Sequence, residues 1–131
     1  MADKNYPTFQ ITEFLDESSV VGRNCGSDVP LGNVFTRIVR QDFTGGESAE
    51  HQMTETILAD GLAIELAEIE IYRRTFDLLA TGYVAELVLA GRGVTELHAL
   101  RSVLGDHTYL TIETPQGAQQ KGAEGLATAP L

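Results

Sequence analysis

The chain has 131 residues, and nine Lys and Arg against nineteen Asp and Glu give it a formal net charge of −10. Its length predicts one domain with a real core, and its hydrophobic fraction of 43% argues against disorder throughout. The negative charge opposes non-specific binding to nucleic acid or anionic membranes, because such binding needs cations that neutralise phosphate. The same charge favours solubility, which is the simpler interpretation, and a cationic or basic protein partner.

Cysteine usage and the N-terminal residues indicate the compartment. Cys25 is the single cysteine, so no disulfide within the chain and no cysteine-based zinc site is expected. The first ten residues lack the basic and apolar regions of a secretory signal. No run approaches the roughly twenty apolar residues of a membrane helix. We therefore expect a cytoplasmic protein without a membrane partner.

The first half of the chain alternates apolar and polar residues in short runs, which is typical of strands. Pro30 has no amide hydrogen, so it is expected before a strand or at a sheet edge. Asp60-Gly61 is a hairpin turn signal. The expected elements are a strand at 8–15, a loop at 16–28 that Val20-Val21 interrupts, a strand at 33–41, a loop at 45–50 and a short strand at 54–58.

The stretch 63–93 has two apolar segments, at 63–72 and 83–90, separated by a charged and turn-prone connection. This outline predicts two strands, because residues within the first segment alternate with period two and include β-branched side chains. The alternation changes phase, so the first strand needs a bulge or bend near Ala67. A helix over 62–80 is the alternative, because several apolar residues also fall near one helical stripe.

The C-terminal part is less regular. Residues 94–104 fit either a loop or a short helix capped by Thr95, with Leu97, Leu100 and Leu104 facing inward. A last strand is expected at 107–113. The remaining residues are small, polar and aperiodic, so 1–113 is predicted as the single domain and 114–131 as a flexible tail.

Residues 68–91 resemble the second domain of translational GTPases of the elongation factor Tu type. In that family a strand ends in a run like G-I-E-M-F-R-K, whose counterpart here is 68–74. A turn of the L-D-x-x-x-A-G kind corresponds to 76–82, and a strand of the V-G-L-L-L-R-G kind corresponds to 84–91. The likeness spans roughly 9–112, with its specific motifs in the central part, and includes 29–36 at the start of the barrel. The family's G-x-V-x-x-G-D element is missing, and Thr81 stands where the family usually has Ala.

The resemblance implies a mainly all-β fold, namely a small closed or partly open antiparallel β-barrel, with a short helix at 94–104 as an open alternative. It does not extend to GTP hydrolysis, which needs a G-x-x-x-x-G-K-[ST] loop to hold phosphates. Lys4 and Lys121 are the only lysines, and neither follows such a loop. We therefore expect no enzyme and no cofactor.

The sequence lacks other chemical signatures. His51, His98 and His107 lack the spacing of a zinc motif, so no metal site is expected. No G-x-S-x-G elbow is present. Cys25 has Arg23 nearby, but an ordinary free thiol is the simpler interpretation. The predicted set of catalytic residues is therefore empty.

Four arginines are the candidate binding residues, and they are Arg37, Arg40, Arg73 and Arg74. In the resembled family the barrel helps to hold the aminoacylated 3′ end of tRNA, which would turn these arginines toward RNA as one basic patch. The simpler interpretation is that they form cross-strand pairs with glutamates of the two central segments. Those glutamates are Glu65, Glu68, Glu70 and Glu86.

The sequence favours a non-catalytic binding or adaptor module that binds another protein through a strand edge or a barrel face. One alternative is an acidic inhibitor or immunity-type protein that neutralises a basic toxin. A second alternative is a domain that binds the 3′ end of RNA. The oligomeric state does not follow from the sequence.

Overall fold

The computed structural model describes residues 4–44 and 52–115, and this part of the chain is mainly antiparallel β-structure. The strands are β1 (Thr8–Phe14), β2 (Ser19–Asn24), β3 (Val29–Pro30), β4 (Val34–Phe35), β5 (Arg37–Thr44), β6 (Gln52–Ala59), β7 (Ala63–Ile71), β8 (Arg74–Phe76), β9 (Leu78–Leu79), β10 (Val84–Arg92) and β11 (Thr108–Glu113). One short helix, α1 (Val94–Ala99), precedes a 3₁₀ turn at Arg101–Val103. The predicted tail lies outside the described residues beyond Pro115.

The main sheet curls on itself. Its neighbouring strands follow the order β4-β7-β10-β2-β1-β11-β5-β6, with β8 against β7, while β3 and β9 form a separate pair. β4 and β5 are one extended run interrupted at Thr36. The start of this run, β4, pairs with β7 at one end of the strand order, and the rest, β5, pairs with β11 and β6 at the other end. The run therefore connects the two ends of the sheet. This confirms the predicted fold class, a small antiparallel β-barrel, in a partly open form.

Apolar side chains that alternate along the strands fill the interior. Phe9 faces Ile112 across β1 and β11, and Ile11 faces Leu110 as the next inward pair. All four side chains are buried. Burying a side chain of this size contributes about 1.5–3 kcal/mol. The strands β5, β7 and β10 contribute further core residues, and the short strands, β2 and α1 contribute the rest. These residues are Ile38, Ile64, Leu66, Ile69, Ala85, Leu87 and Leu89, together with Val20, Val29, Phe35, Leu79 and Leu97.

The segment 63–72, whose sequence fits a strand or a helix, is a strand. β7 covers almost all of it and pairs with β10. Between two consecutive residues of β10, the facing residue on β7 changes from Glu68 to Leu66, so Ala67 is the extra residue of a bulge. The predicted bulge is confirmed. The helical alternative is wrong, because β7 has sheet partners along both edges. These partners are β10 on one edge and the short strands β4 and β8 on the other.

The loop predicted at 16–28 is wrong in its middle, where β2 forms. Its Ser, Asn and Gly content is typical of a loop, but β2 lies between β1 and β10 with Val20 buried. Gly22 permits this position, since a Cβ there would lie 1.9 Å from the carbonyl oxygen of Gln10. Tertiary position therefore overrides composition in this segment.

The segment 94–104 begins with the helix of the two alternatives. The predicted cap at Thr95 is wrong. The N-cap residue is Gly93, which has a φ of 113° and offers no side-chain hydrogen bond. The side chain of Leu97 in α1 is buried, as predicted. Within the described ranges, no helix is long and apolar enough to cross a membrane.

A polar layer lies on the outer face of β1, β11, β5 and β6. Its side chains alternate along each strand with those that face the core. The Lys4 ammonium lies 2.5 Å from the Glu113 carboxylate and 2.8 Å from that of Glu55. Glu113 is 1% exposed and also accepts hydrogen bonds from Tyr6 and Thr111. Burial alone lowers the pKa of Lys4, but its bonds to the two carboxylates outweigh burial and raise the pKa above the ordinary value.

The same layer binds the first residues of the described chain to the sheet. Burial raises the pKa of Glu55, but hydrogen bonds from Lys4 and Gln41 outweigh it and lower the pKa below the ordinary value. The Gln41 side chain in turn accepts a hydrogen bond from Gln10 at 3.0 Å. The network therefore connects the N-terminal segment with β1, β5, β6 and β11.

Candidate functional site

The turn that joins β7 to β8 has a strained backbone. Tyr72 and Arg73 have φ values of 52° and 66°, in the left-handed region. A non-glycine residue there costs about 1–2 kcal/mol. Two successive positive φ values fit a two-residue hairpin of type I′, whose twist matches that of the adjoining strands. The turn carries the Tyr72 side chain into solvent, where it is 95% exposed.

An open groove of about 590 Å³ lies between this turn and the start of β10, and we term it the β7–β10 groove. Beside Tyr72 it is lined by Tyr83 and Val84, which are 59% and 58% exposed. Large apolar side chains that remain exposed around one concavity are typical of a binding surface. The other lining residues are Val21, Glu70, Ile71, Arg73, Gly82, Ala85 and Glu86.

Two carboxylates of the β7–β10 groove are direct cross-strand neighbours. Glu86 of β10 faces Glu70 of β7 on one side and Val21 of β2 on the other. Facing residues of an antiparallel pair have Cβ atoms about 4.5–5.5 Å apart. Both glutamates are half-buried, and neither forms an ion pair within 4–44 or 52–115. Because facing like charges are destabilising, the stability of the free protein does not explain this pair.

The four candidate arginines do not meet in one patch. Arg37 and Arg40 lie on β5, next to the end of β7 that pairs with β4. Arg73 and Arg74 lie beyond the opposite end of β7, about 20 Å away along that strand. Arg73 lines the β7–β10 groove, whereas the other three arginines do not.

The interpretation that these arginines neutralise the central glutamates is wrong for the pair on β5. Arg37 forms an ion pair with Asp60 at 3.3 Å, and Arg40 forms one with Asp42 at 3.0 Å. Both acids are nearer than the glutamates, because Asp42 lies two residues along the same strand and Asp60 follows the adjacent β6. The spacing of Arg37 and Asp60, 23 positions apart, gave no signal, whereas the i,i+2 spacing of Arg40 and Asp42 on one strand was a signal that the interpretation overlooked.

A second groove, of about 270 Å³, contains Arg23, Asp106 and His107. Its aromatic residues, Phe43 and Tyr109, stack edge to face on each other with ring centroids 5.7 Å apart, so they are less available to a ligand. Among the residues that the structure describes, no three His, Cys, Asp or Glu side chains converge as metal ligands. His51 lies outside those residues.

The chemistry of the β7–β10 groove is that of binding, because it combines exposed aromatic rings with carboxylates and one guanidinium. Sequence reasoning found Arg73 but missed Tyr72, Tyr83 and the facing glutamates. The pairing of Glu70 with Glu86 depends on the register of β7 against β10, which the Ala67 bulge shifts. A bulge was predicted there, but the partner strand and its register were not.

No protein-family model and no curated protein matches this chain. The fold and the groove define its class as a partly open antiparallel β-barrel with an exposed, partly aromatic groove. The functional assignment therefore depends on the groove itself.

Proposed function

We propose that this protein is a non-catalytic binding module, on a barrel of the translation-factor second-domain type, that binds another protein in the β7–β10 groove. The observation that carries the proposal is the exposure of Tyr72, Tyr83 and Val84 around one concavity. Tyrosines are enriched among the residues that dominate binding energy at protein interfaces. The partly open barrel supports the proposed type, since small barrels commonly present one face to a partner.

The charges of the groove favour a protein over RNA. Glu70 and Glu86 outnumber the single groove arginine, Arg73, and the whole chain carries a formal charge of −10. RNA would bring further phosphate charge to this surface, whereas a basic protein gains attraction and a faster encounter. An inhibitor of a basic toxin would be one such case.

The proposal is tested by capturing partners on the immobilised full chain, purifying each candidate and measuring direct binding. Replacing Tyr72 and Tyr83 together by serine should lower the affinity for a direct partner about tenfold or more, because each aromatic side chain at an interface contributes substantially to the binding free energy. The matched control is Ile57→Ser on β6, since Ile57 is 54% exposed and does not line the groove. It should leave the affinity unchanged.

Equal binding of a purified partner to the wild type and the double tyrosine variant would refute the assignment to the groove. Tighter binding of single-stranded RNA than of any protein would favour the RNA alternative instead. Circular dichroism of each variant checks that the sheet is intact, so that a loss of binding is not a loss of folding.

A further inference from the structure

The facing glutamates of the β7–β10 groove lie within a row of residues that crosses four strands. Val21 on β2, Glu86 on β10, Glu70 on β7 and Thr75 on β8 face one another in sequence across the outer surface of the barrel. The two carboxylates are half-buried, so water screens their interaction with a nearby charge less than it would at a fully exposed site.

The basic residues around this row leave both carboxylates without an ion pair in the described structure. Arg73 lines the groove but lies more than 4.0 Å from either carboxylate. Arg74 faces Ile71 across β7 and β8. Arg23 faces Val84 across β2 and β10, yet it lines the smaller groove. The glutamates therefore offer an anionic site to a cation from outside.

The aromatic residues of the groove suit the same kind of ligand. Tyr72 and Tyr83 both line it, and both rings are largely exposed. A tyrosine face attracts a lysine or arginine head group within about 6 Å of its centroid. The aliphatic stems of these side chains also pack on apolar surface while their charged heads stay at polar groups. Val84 supplies such a surface beside Tyr83.

We propose that the β7–β10 groove is a receptor for a lysine or arginine side chain, which an extended protein segment inserts between Glu70 and Glu86. The inference rests on the proposed function and narrows the partner to a basic one. A second copy of this chain is disfavoured as the occupant, because two molecules of formal charge −10 repel each other. RNA is disfavoured because its phosphates would meet the two carboxylates.

The test is an NMR titration of the full, ¹⁵N-labelled chain with the end-blocked peptide Val-Thr-Lys-Thr-Val. The matched control peptide carries norleucine in place of lysine, which keeps the aliphatic stem and removes the charge. We expect the lysine peptide to shift the amide signals of 70–73 and 82–86, with a dissociation constant on the order of 1 mM for so short a ligand. The norleucine peptide should bind about tenfold more weakly.

Charge-neutral variants locate the receptor. Each of the variants Glu70→Gln and Glu86→Gln should bind the lysine peptide about fivefold more weakly than the wild type does. Their affinity for the norleucine peptide should not change. The control is Glu65→Gln, since Glu65 also lies on β7 but faces Val34 and Ala90 outside the groove. This variant should bind like the wild type.

Equal affinity for the two peptides, or an equal loss in Glu65→Gln, would overturn the receptor for a cation. Absence of shifts in the groove with either peptide would overturn it as well. Shifts at the same amides with the ribonucleotide CCA but not with the lysine peptide would replace the protein ligand by RNA. The proposed function is tested separately, because a purified protein that binds through Tyr72 and Tyr83 without needing Glu70 or Glu86 leaves it intact.

Discussion

Lys4 is the cation that holds a buried carboxylate in this fold, so replacing it by methionine should be costly. Methionine keeps an unbranched apolar stem and removes the ammonium, which lies 2.5 Å from Glu113 and 2.8 Å from Glu55. Removing one partner of a buried pair costs about 3–5 kcal/mol, because the other charge is left uncompensated. The Glu113 side chain is 1% exposed and fits that description, whereas that of Glu55 is 30% exposed and does not.

Hydrogen bonds that remain in the variant moderate the cost. Tyr6 and Thr111 still donate to Glu113, although their distances of 3.4 Å and 3.3 Å are long. We therefore expect Lys4→Met to lose about 2–4 kcal/mol of unfolding free energy, which lowers the melting temperature by about 10 °C in a domain of this size.

Urea unfolding followed by circular dichroism at pH 7 measures this loss. The double variant Lys4→Met/Glu113→Gln should recover most of it, because no charge is then buried without a partner. Glu55→Gln serves as the control for the more accessible of the two ion pairs and should lose less than about 1 kcal/mol. A loss below about 0.5 kcal/mol in Lys4→Met, or no recovery in the double variant, would refute the reasoning.

Further predictions concern pH, glycine and the strained turn. Because its folded-state pKa is lowered, Glu55 contributes stability that is present above the ordinary glutamate pKa and is lost as the pH falls through the lowered value. Urea midpoints from pH 7 to pH 2 should therefore fall less in Glu55→Gln than in the wild type, and an identical fall would contradict this. Gly22→Ala should cost more than about 3 kcal/mol in the same assay, since the new Cβ would meet the Gln10 carbonyl at 1.9 Å. Gly82→Ala should cost only about 1–2 kcal/mol, because open space surrounds that position and its positive φ of 90° is the sole obstacle. Equal losses in the two alanine variants would contradict that distinction. Arg73→Gly should raise the melting temperature by relieving about 1 kcal/mol of strain in the turn, and an unchanged or lower melting temperature would show that the turn stores none.

Much of the fold was predictable from local alternation. The period-two pattern around Ile69 predicted β7, and its change of phase predicted the bulge at Ala67, because side chains on a strand point to alternate faces. The strand β2, which contains Val20, was not predicted from the local sequence. The neighbours of Val20 are loop-forming by composition, and only the presence of β1 and β10 on either side makes this segment a central strand.

The groove and the polar layer were less accessible to sequence reasoning. Lys4 meets Glu113 across 109 positions of the chain and Glu55 across 51, and no local pattern indicates such partners. Arg37 was assigned to the wrong acids for the same reason, since Asp60 lies 23 positions away. Asp42 lies only two residues after Arg40 on the same strand face, so that partner was a local signal that the prediction overlooked. Arg73 alone among the four candidates lines the β7–β10 groove, because a turn at the end of β7 carries it there.

By itself, the sequence determined that strands would form, where several would begin and end, and that the molecule would be strongly acidic. These properties depend on composition and on neighbours within a few residues. The tertiary structure decided that the sheet curls, that Lys4 neutralises a buried glutamate, and that Glu70 and Glu86 face each other beside two exposed tyrosines. Those outcomes depend on strand register and closure, which bring together residues that are distant along the chain.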